Sequence, residues 1–226
     1  MLEKVEAGQK GVNTILSREE TYGDIMPVRA GENDISAFIS IMRGCNNMCS
    51  YCIVPYVRGR ERSRDPQTIL GEVKELARSG YREVTLIGQN VDSYHWKGSQ
   101  GEDYPFAWLL DQVARIDPNL RIRFSTSHPK DLSDQVLEAM ARHSNICKHI
   151  HLPVQSGSTR VLKAMNRGYT REWYQNRIDA IRNHLPGAEI TTDIMTGFPS
   201  ETKEDHHETL SLMEYAQYDF AYMFKY

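Results

Sequence analysis

Residues 37–52 read AFISIMRGCNNMCSYC and set the expectation for the whole chain. The stretch opens with a short apolar, β-prone run at 37–42 and continues through Gly44 into a loop carrying Cys45, Cys49 and Cys52. In α/β proteins with parallel strands, ligands bind where loops leave the carboxyl ends of the strands. The stretch therefore predicts a strand that delivers a three-cysteine loop to a ligand site.

Outward from this stretch, short β-prone runs alternate with longer segments of helical period. The runs predict six strands, at 37–42, 83–87, 121–125, 149–152, 190–194 and 219–224. Apolar residues spaced three and four apart predict the helices between them, at 66–78, 105–116, 133–141, 158–165, 170–184 and 202–216. Such alternation predicts an α/β fold with a parallel sheet and helical crossovers.

Six strand–helix units are too few for a closed barrel of eight. An open doubly wound sheet and a partial barrel both fit, and we predict a partial (β/α)6 barrel of the TIM type. In either architecture the ligand site lies at the carboxyl ends of the strands. The cysteine loop and the segments after the other strands are therefore expected on one rim.

Composition restricts the class of protein. The chain has 226 residues and a formal net charge of −3, with 25% charged and 40% hydrophobic residues, which is typical of a folded globular protein. A mildly acidic chain binds nucleic acid only through a local basic patch. Four cysteines are too few for a disulfide scaffold, and no apolar run approaches the ~20 residues of a membrane span. We expect a reducing, cytoplasmic setting without membrane attachment.

The spacing of the three cysteines allows one short loop to wrap three sulfurs around an inorganic centre. A four-iron, four-sulfur (4Fe–4S) cluster held by three thiolates keeps one iron open for a further ligand. Zinc needs four ligands, and the chain offers a fourth only from Cys147 or a distant histidine. Three thiols without metal are the remaining alternative.

These motifs carry a resemblance to a known family. Cys45-x-x-x-Cys49-x-Tyr51-Cys52 after the first strand resembles the signature of the radical S-adenosylmethionine (radical SAM) superfamily. The rest of the sequence resembles the methylthiotransferase family of that superfamily. The resemblance lies in the segments VPYVRGRERSR, IGQNVDSY, FSTSHP, HLPVQSGS and DIMTGFPSET. The likeness extends over residues 37–226.

Within this family, the sequence is most similar to the branch that places a methylthio group on C2 of N6-isopentenyladenosine beside the tRNA anticodon. Two sister branches, which modify threonylcarbamoyl-adenosine in tRNA or an aspartate of a ribosomal protein, remain alternatives. The resemblance implies that the open iron binds S-adenosylmethionine and that a flavodoxin or ferredoxin supplies the electron that cleaves it. The resulting radical would abstract hydrogen before sulfur is inserted.

The resemblance also implies cofactor contacts on the rim. Tyr51 would lie near the adenine of the cofactor, or it would only shield the cluster. Gln89 and Asn90 occupy the turn that contacts the methionine amino group in the superfamily, although a turn explains the same residues. Gln155 and Ser156 would contact the cofactor, or they would simply begin a helix.

Two charged residues complete the predicted cofactor site. Arg167 is a candidate partner for a carboxylate because its guanidinium can donate two parallel hydrogen bonds. The alternative is a cation that satisfies a helix C-terminus. Asp193 lies in an apolar strand, so we expect it to have a specific partner.

A run of arginines follows the cysteine loop. It contains four arginines at alternate positions, Arg58, Arg60, Arg62 and Arg64. On an extended segment their side chains would point to one side and could contact RNA phosphates. The alternative is that they pair with local carboxylates. Aromatic residues near the rim could hold an unpaired anticodon base or belong to the core; they are Tyr56, Tyr94, Trp96 and Phe198.

The sequence departs from the family at both ends. Members carry an N-terminal domain with a second 4Fe–4S cluster and a C-terminal RNA-binding domain, and neither pattern occurs here. We expect residues 1–35 to form a leader or linker and residues 36–226 to form the radical SAM core, ending inside the sixth strand. Without the second cluster, sulfur insertion should fail while reductive cleavage of S-adenosylmethionine survives. A different radical reaction, an iron–sulfur electron carrier and a zinc-stabilised RNA-binding module are the other hypotheses.

Overall fold

The computed structural model describes residues 35–226, so the predicted leader lies almost entirely outside the described residues. In chain order the strands of this part are β1 (Ser36–Ser40), β2 (Met42–Arg43), β3 (Arg62–Ser63), β4 (Glu83–Ile87), β5 (His95–Lys97), β6 (Asp103–Pro105), β7 (Arg121–Ser125), β8 (His149–His151), β9 (Glu189–Thr196) and β10 (Phe220–Lys225). The helices are α1 (Val54–Arg58), α2 (Pro66–Arg78), α3 (Phe106–Ala114), α4 (Asp134–Arg142), α5 (Thr159–Ala164), α6 (Arg171–His184) and α7 (Lys203–Ala216), with a 3₁₀ turn at Val91–Ser93.

Within residues 35–226, six strands pair in parallel, namely β1, β4, β7, β8, β9 and β10. β4 lies between β1 and β7 in one sheet, and β9 lies between β8 and β10 in the other. A parallel bridge between Ile122 and Ile146 connects the β7 edge to the segment before β8. The predicted α/β architecture of six strand–helix units is therefore confirmed, and each strand lies within two residues of its predicted bounds.

The helices begin where the sequence supplies caps. The Asp65 carboxylate accepts hydrogen bonds from the backbone N–H groups of Gln67 and Thr68 at the start of α2, at 2.6 and 3.3 Å. Thr202 and Asp205 form a reciprocal capping box at the start of α7. The apolar faces of these helices bury against the strands, whose central residues Ile39, Leu86 and Ile122 are fully buried.

Two short antiparallel pairs were not predicted. β2 pairs with β3, so that Arg43 lies opposite Arg62, and β5 pairs with β6. These strands have two or three residues each, and none of them forms an apolar run of its own that would mark it in the sequence. The first pair matters for the site, because it folds the arginine segment back beside the cysteine loop.

No helix in the described part of the chain is long and apolar enough to cross a membrane.

Candidate functional site

The cysteine loop leaves the carboxyl end of β1 and lies over the ends of the neighbouring strands. Cys49 is buried, and Cys45 and Cys52 are half-buried. Backbone hydrogen bonds fix the loop at three points: Cys45 N–H donates to Gly59 O, Cys52 N–H to Cys49 O, and Ser50 N–H to Met165 O. The thiols therefore belong to an ordered turn and are partly withdrawn from solvent.

The three thiols lie within electrostatic range of one another. Burial raises the pKa of the Cys45 thiol above its usual value, and Glu61, Cys49 and Cys52 raise it further. Three neighbouring thiolates repel each other, so a cationic centre is needed to hold them deprotonated. Among residues 35–226, no three His, Cys, Asp or Glu side chains form a group that fits a single metal ion. The donor set of three thiols in one loop suits an iron–sulfur cluster.

Arg167 lies directly against this loop. Its buried guanidinium is 3.5 Å from Cys49 Sγ and 3.4 Å from the Tyr51 hydroxyl. It also donates to Pro153 O at 2.6 Å and to the Tyr169 hydroxyl at 3.1 Å. The interpretation of Arg167 as a helix C-terminal cation is wrong, because its guanidinium bonds these side chains and a loop carbonyl. The guanidinium places a permanent positive charge where cysteine sulfurs or a cofactor carboxylate carry negative charge.

Tyr51 faces the same space from inside the loop. Its ring meets Phe198 edge-on, with ring centroids 6.4 Å apart, and it packs against the small apolar cluster of Val161, Met165 and Phe198. Burial raises the pKa of the Tyr51 phenol well above its usual value, so the hydroxyl is neutral. Tyr51 therefore forms an apolar wall of the loop with a polar tip next to Arg167.

The ends of β4 and β7 hold the cysteine loop by side-chain hydrogen bonds. Gly44 N–H donates to Gln89 Oε1 at 2.6 Å. Asn47, between the first two cysteines, donates to Asp131 Oδ2 at 3.3 Å and accepts from Lys130 Nζ at 2.7 Å. Asn90 donates to the same Asp131 oxygen at 2.7 Å. Asn90 is thus a buried support of Asp131, which favours its structural interpretation over a side-chain contact with the cofactor.

Beneath these hydrogen bonds lies a buried polar layer that was not predicted. Among the described residues, Asn90 Oδ1, Asp92 Oδ1 and His128 Nε2 are buried without a hydrogen-bond partner. Burial raises the pKa of Asp92 to about 7, and burial together with the Arg167 charge lowers the pKa of His128 to about 2. His128 is therefore neutral at pH 7, whereas Asp92 gains and loses its proton near neutral pH. Their only sequence signal was their position just after β4 and β7.

The loop after β8 contributes mainly backbone. Gln155 has a left-handed φ of 72°, its N–H donates to Asp193 O, and its carbonyl accepts from Met195 N–H. Ser156 is fully buried, and its hydroxyl lies 3.4 Å from Thr209 Oγ1 and accepts from Ser158 N–H. The Ser156 side chain is therefore enclosed against α7 and does not face the rim, which argues against a side-chain contact with the cofactor. Helix α5 itself begins at Thr159, with Ser158 as its N-cap.

Asp193 has the specific partner that its position in an apolar strand required. Its Oδ1 is 3.5 Å from His151 Nε2 on the adjacent strand β8. Its side chain is a quarter exposed, so the pair remains accessible from the barrel mouth.

The arginine run does not form one extended stripe. Arg58 ends α1, and Gly59 turns the chain at a φ of 76°. Arg64 is buried and forms a 2.6 Å ion pair with Glu72. The prediction that Arg64 contacts RNA is wrong, because its guanidinium is enclosed beneath α2. Arg58 and Arg60 are exposed, and Arg62 is half-buried.

The four aromatic candidates differ in exposure, so not all of them are available to a ligand. Tyr94 is a core residue that donates to Arg64 O, and Phe198 is buried. Trp96 stacks on Tyr104 in the β5–β6 pair. Tyr56 on α1 is 65% exposed and remains available to a ligand.

The fold and the loop together define a class of protein. The family model for the Radical SAM superfamily matches residues 39–213, which contain the cysteine loop and the strands around it. The chain therefore belongs to the radical SAM superfamily, whose members use a 4Fe–4S cluster and S-adenosylmethionine.

Individual enzymes show which members of the superfamily this chain is similar to. The chain is 59% identical over 226 residues to the tRNA-2-methylthio-N(6)-dimethylallyladenosine synthase of Bacteroides fragilis, covering all of this chain and 50% of that protein. It matches the enzyme of the same name from Bacteroides thetaiotaomicron equally, at 59% identity and the same coverage. The chain thus spans about half the length of the curated relatives it matches.

A solved structure supports the fold. The radical SAM methyltransferase TsrM from Kitasatospora setae superposes with a TM-score of 0.67 at 17% identity, over 85% of this chain and 36% of that one. A second structure of TsrM contains a 4Fe–4S cluster. At this identity the likeness concerns the fold alone.

Proposed function

We propose that this chain is the catalytic core of an enzyme that converts N6-dimethylallyladenosine in tRNA to its 2-methylthio derivative. The observation that carries the proposal is 59% identity over all 226 residues to synthases of that name. The structural features of the site agree with it, since the motifs shared with the family gather around one cysteine loop.

The residues of this loop suit the cofactor of the family. Cys45, Cys49 and Cys52 would hold a 4Fe–4S cluster and leave one iron for S-adenosylmethionine. When bound, the two groups supply a radical that removes hydrogen from an unactivated C–H bond. Arg167 is buried against Cys49 and would balance negative charge on the sulfurs or the cofactor carboxylate.

Other residues of the rim would orient the cofactor. Gln89 accepts from Gly44 through Oε1 and keeps its amide group free to donate toward the ligand. Gln155 would contribute through its fixed backbone, Tyr51 through its ring, and Asp193 through the oxygen that does not face His151. Excluding water from this apolar-walled site protects a reactive intermediate.

The macromolecular partners belong to the same proposal. Arg58, Arg60 and Arg62 lie beside the loop and would contact phosphates of the anticodon loop. The proposal also includes a second 4Fe–4S cluster on cysteines outside the given sequence, a flavodoxin or ferredoxin as electron donor, and a cytoplasmic location.

Anaerobic reconstitution tests the cofactor part. The wild-type chain and the matched control Cys147→Ala should each bind about four irons and show a spectroscopic change when S-adenosylmethionine is added. Alanine at Cys45, Cys49 and Cys52 should abolish iron binding. Stoichiometric zinc without iron would refute this part of the proposal.

A binding measurement tests the substrate part. A prenylated anticodon stem-loop RNA should bind to the reconstituted chain, and 5′-deoxyadenosine and methionine should form from S-adenosylmethionine under reducing conditions. Iron binding without any RNA affinity would leave a radical SAM core whose substrate is not this tRNA.

A further inference from the structure

The short helix α1 differs from every other α-helix of the described chain. Each of the helices α2–α7 buries at least two residues, whereas α1 buries none. Ile53, Tyr56 and Val57 are 65%, 65% and 48% exposed. The N–H groups of Tyr56 and Val57 both donate to Ile53 O, so the three residues lie on one helical turn.

The spacing of these three residues makes the exposure significant. Residues i, i+3 and i+4 lie on the same face of a helix, so the side chains form one continuous apolar surface. Met48, in the cysteine loop, is a further exposed apolar residue at 47% exposure. A contiguous exposed apolar surface next to a reactive site indicates a binding surface, while isolated exposed apolar residues do not. We name the set Ile53, Tyr56 and Val57 the α1 surface; Met48 is exposed in the neighbouring loop and is not counted in it.

The α1 surface is joined to the cysteine loop by the chain itself. Ile53 directly follows Cys52. Arg58 and Arg60 are exposed at the other end of the helix. An apolar surface is thus bordered by the cluster ligands on one side and by cations on the other.

This arrangement matches the chemistry of one ligand. A dimethylallyl adenosine in an RNA loop presents an apolar five-carbon group on its base and negative phosphates on either side. Unpaired bases bind to proteins by stacking on aromatic rings, and phosphates bind to arginine. Tyr56 offers the ring, Ile53 and Val57 the apolar contact, and Arg58 and Arg60 the charge.

We propose that the α1 surface binds the dimethylallyl group of the substrate adenosine and selects prenylated over unprenylated RNA. The inference rests on the proposed function and adds the part of the chain that reads the modification. The dimethylallyl group gains affinity by burying apolar area against this surface, and an unprenylated RNA lacks that gain. The arginines bind phosphates, so they contribute equally to the affinity of both RNAs.

Fluorescence anisotropy on two anticodon stem-loop RNAs tests the proposal. The RNAs differ only in the dimethylallyl group, and the protein is the full chain with its cluster reconstituted. Wild type should bind the prenylated RNA at least about tenfold more tightly, the low end of discrimination for an apolar group in an apolar site. The double variant Ile53→Ser, Tyr56→Ser should bind both RNAs alike. Val57→Ser alone, which leaves the neighbour of Cys52 intact, should lose part of the preference.

A matched control lies on another helix. Leu210 on α7 is 43% exposed, and Leu210→Ser should leave the preference unchanged. Wild type that binds both RNAs equally would overturn the inference while RNA binding, and with it the proposed function, stands. Wild type that binds neither RNA would overturn both. A wild-type dimer that becomes monomeric in the double variant would show that a second copy covers the α1 surface, which also overturns the inference.

Discussion

At the scale of single residues, Asp131 connects the cysteine loop to the strands that carry it. One oxygen accepts hydrogen bonds from Asn47 in the loop and from the buried Asn90 at the end of β4. Replacing Asp131 with Ala leaves Asn90 with another unsatisfied polar group, at a cost of about 1–3 kcal/mol. We expect Asp131→Ala to unfold at lower temperature and to bind less iron on reconstitution.

A nearby carboxylate supplies the control for this variant. Asp134 lies at the start of α4, where its exposed carboxylate pairs with the partly buried Arg177 of α6. Asp134→Ala should lose no more than ~1 kcal/mol, as expected of a surface pair, and should bind iron like wild type. Equal iron occupancy in both variants would show that Asp131 does not position the loop.

Asp92 gives the chain a specific dependence on pH. Burial raises its pKa to about 7, so the folded state keeps a proton that the unfolded chain releases near pH 4. The folded state therefore binds more protons between these values, and stability falls as pH rises from about 4 to about 7 and stays lower above that.

Asp92→Asn removes this titration because an amide stays neutral. The variant should match wild type near pH 4 and exceed its unfolding free energy by up to about 4 kcal/mol at pH 8. Urea unfolding at the two pH values measures the difference. A wild-type advantage at pH 8 would show that the Asp92 carboxylate is ionised and stabilised in the folded state.

Some residues of the site could be recognised from the sequence, and others could not. The spacing of Cys45, Cys49 and Cys52 was informative, because three thiols in eight residues have few structural explanations. For Arg64 the sequence left open RNA contact or pairing with a local carboxylate, and for Ser156 cofactor contact or a helix start. The structure pairs Arg64 with Glu72 and packs Ser156 against Thr209. Local sequence shows residue type, whereas burial beneath a helix appears only in the fold.

At the scale of elements, the six parallel strands and the helices between them were predicted from apolar runs that alternate with segments of helical period. The exceptions are short. β2–β3, β5–β6 and α1 span two to five residues, and their formation depends on the loop that they close. The element that carries our further inference, α1, is therefore one that sequence periodicity alone did not predict.

The packing of the loop after β8 against helix α7 depends on Gly157. A Cβ atom added there would lie 2.5 Å from both Glu208 O and Thr209 Cα, which are backbone atoms that move only if helix α7 shifts. We expect Gly157→Ala to destabilise the chain by about 1–3 kcal/mol, measured by thermal or urea unfolding. Because Gln155 lies in the same loop, S-adenosylmethionine binding should weaken as well.

Gly71 provides the opposite case within a helix. It lies in α2, and an added Cβ would meet nothing within 4 Å. Gly71→Ala should stabilise the chain by about 0.5–1 kcal/mol through helix propensity. If both alanine variants were neutral, the close approach at Gly157 would be relieved by a small shift of α7, and this packing would not fix the loop.

At the scale of the whole molecule, charge determines how nucleic acid can be bound. A net charge of −3 provides no general attraction for RNA, so any affinity must arise from local cations. Arg58 and Arg60 are exposed beside the cysteine loop, whereas Arg64 is neutralised by Glu72. The basic surface is therefore smaller than the sequence suggested, and it adjoins the α1 surface.

Salt dependence distinguishes local binding from the field of the whole molecule. Arg58→Ala with Arg60→Ala should reduce the slope of log affinity against log salt by about 0.7 for each phosphate of single-stranded RNA that is no longer neutralised. The double variant Arg115→Ala, Arg142→Ala removes the same charge from two residues that pair with Asp111 on the outer helices. Its slope should equal that of wild type, because these arginines touch no RNA in our proposal. Equal slope changes in the two double variants would show that RNA responds to net charge alone, and the surface beside the cysteine loop would then have no special part in binding.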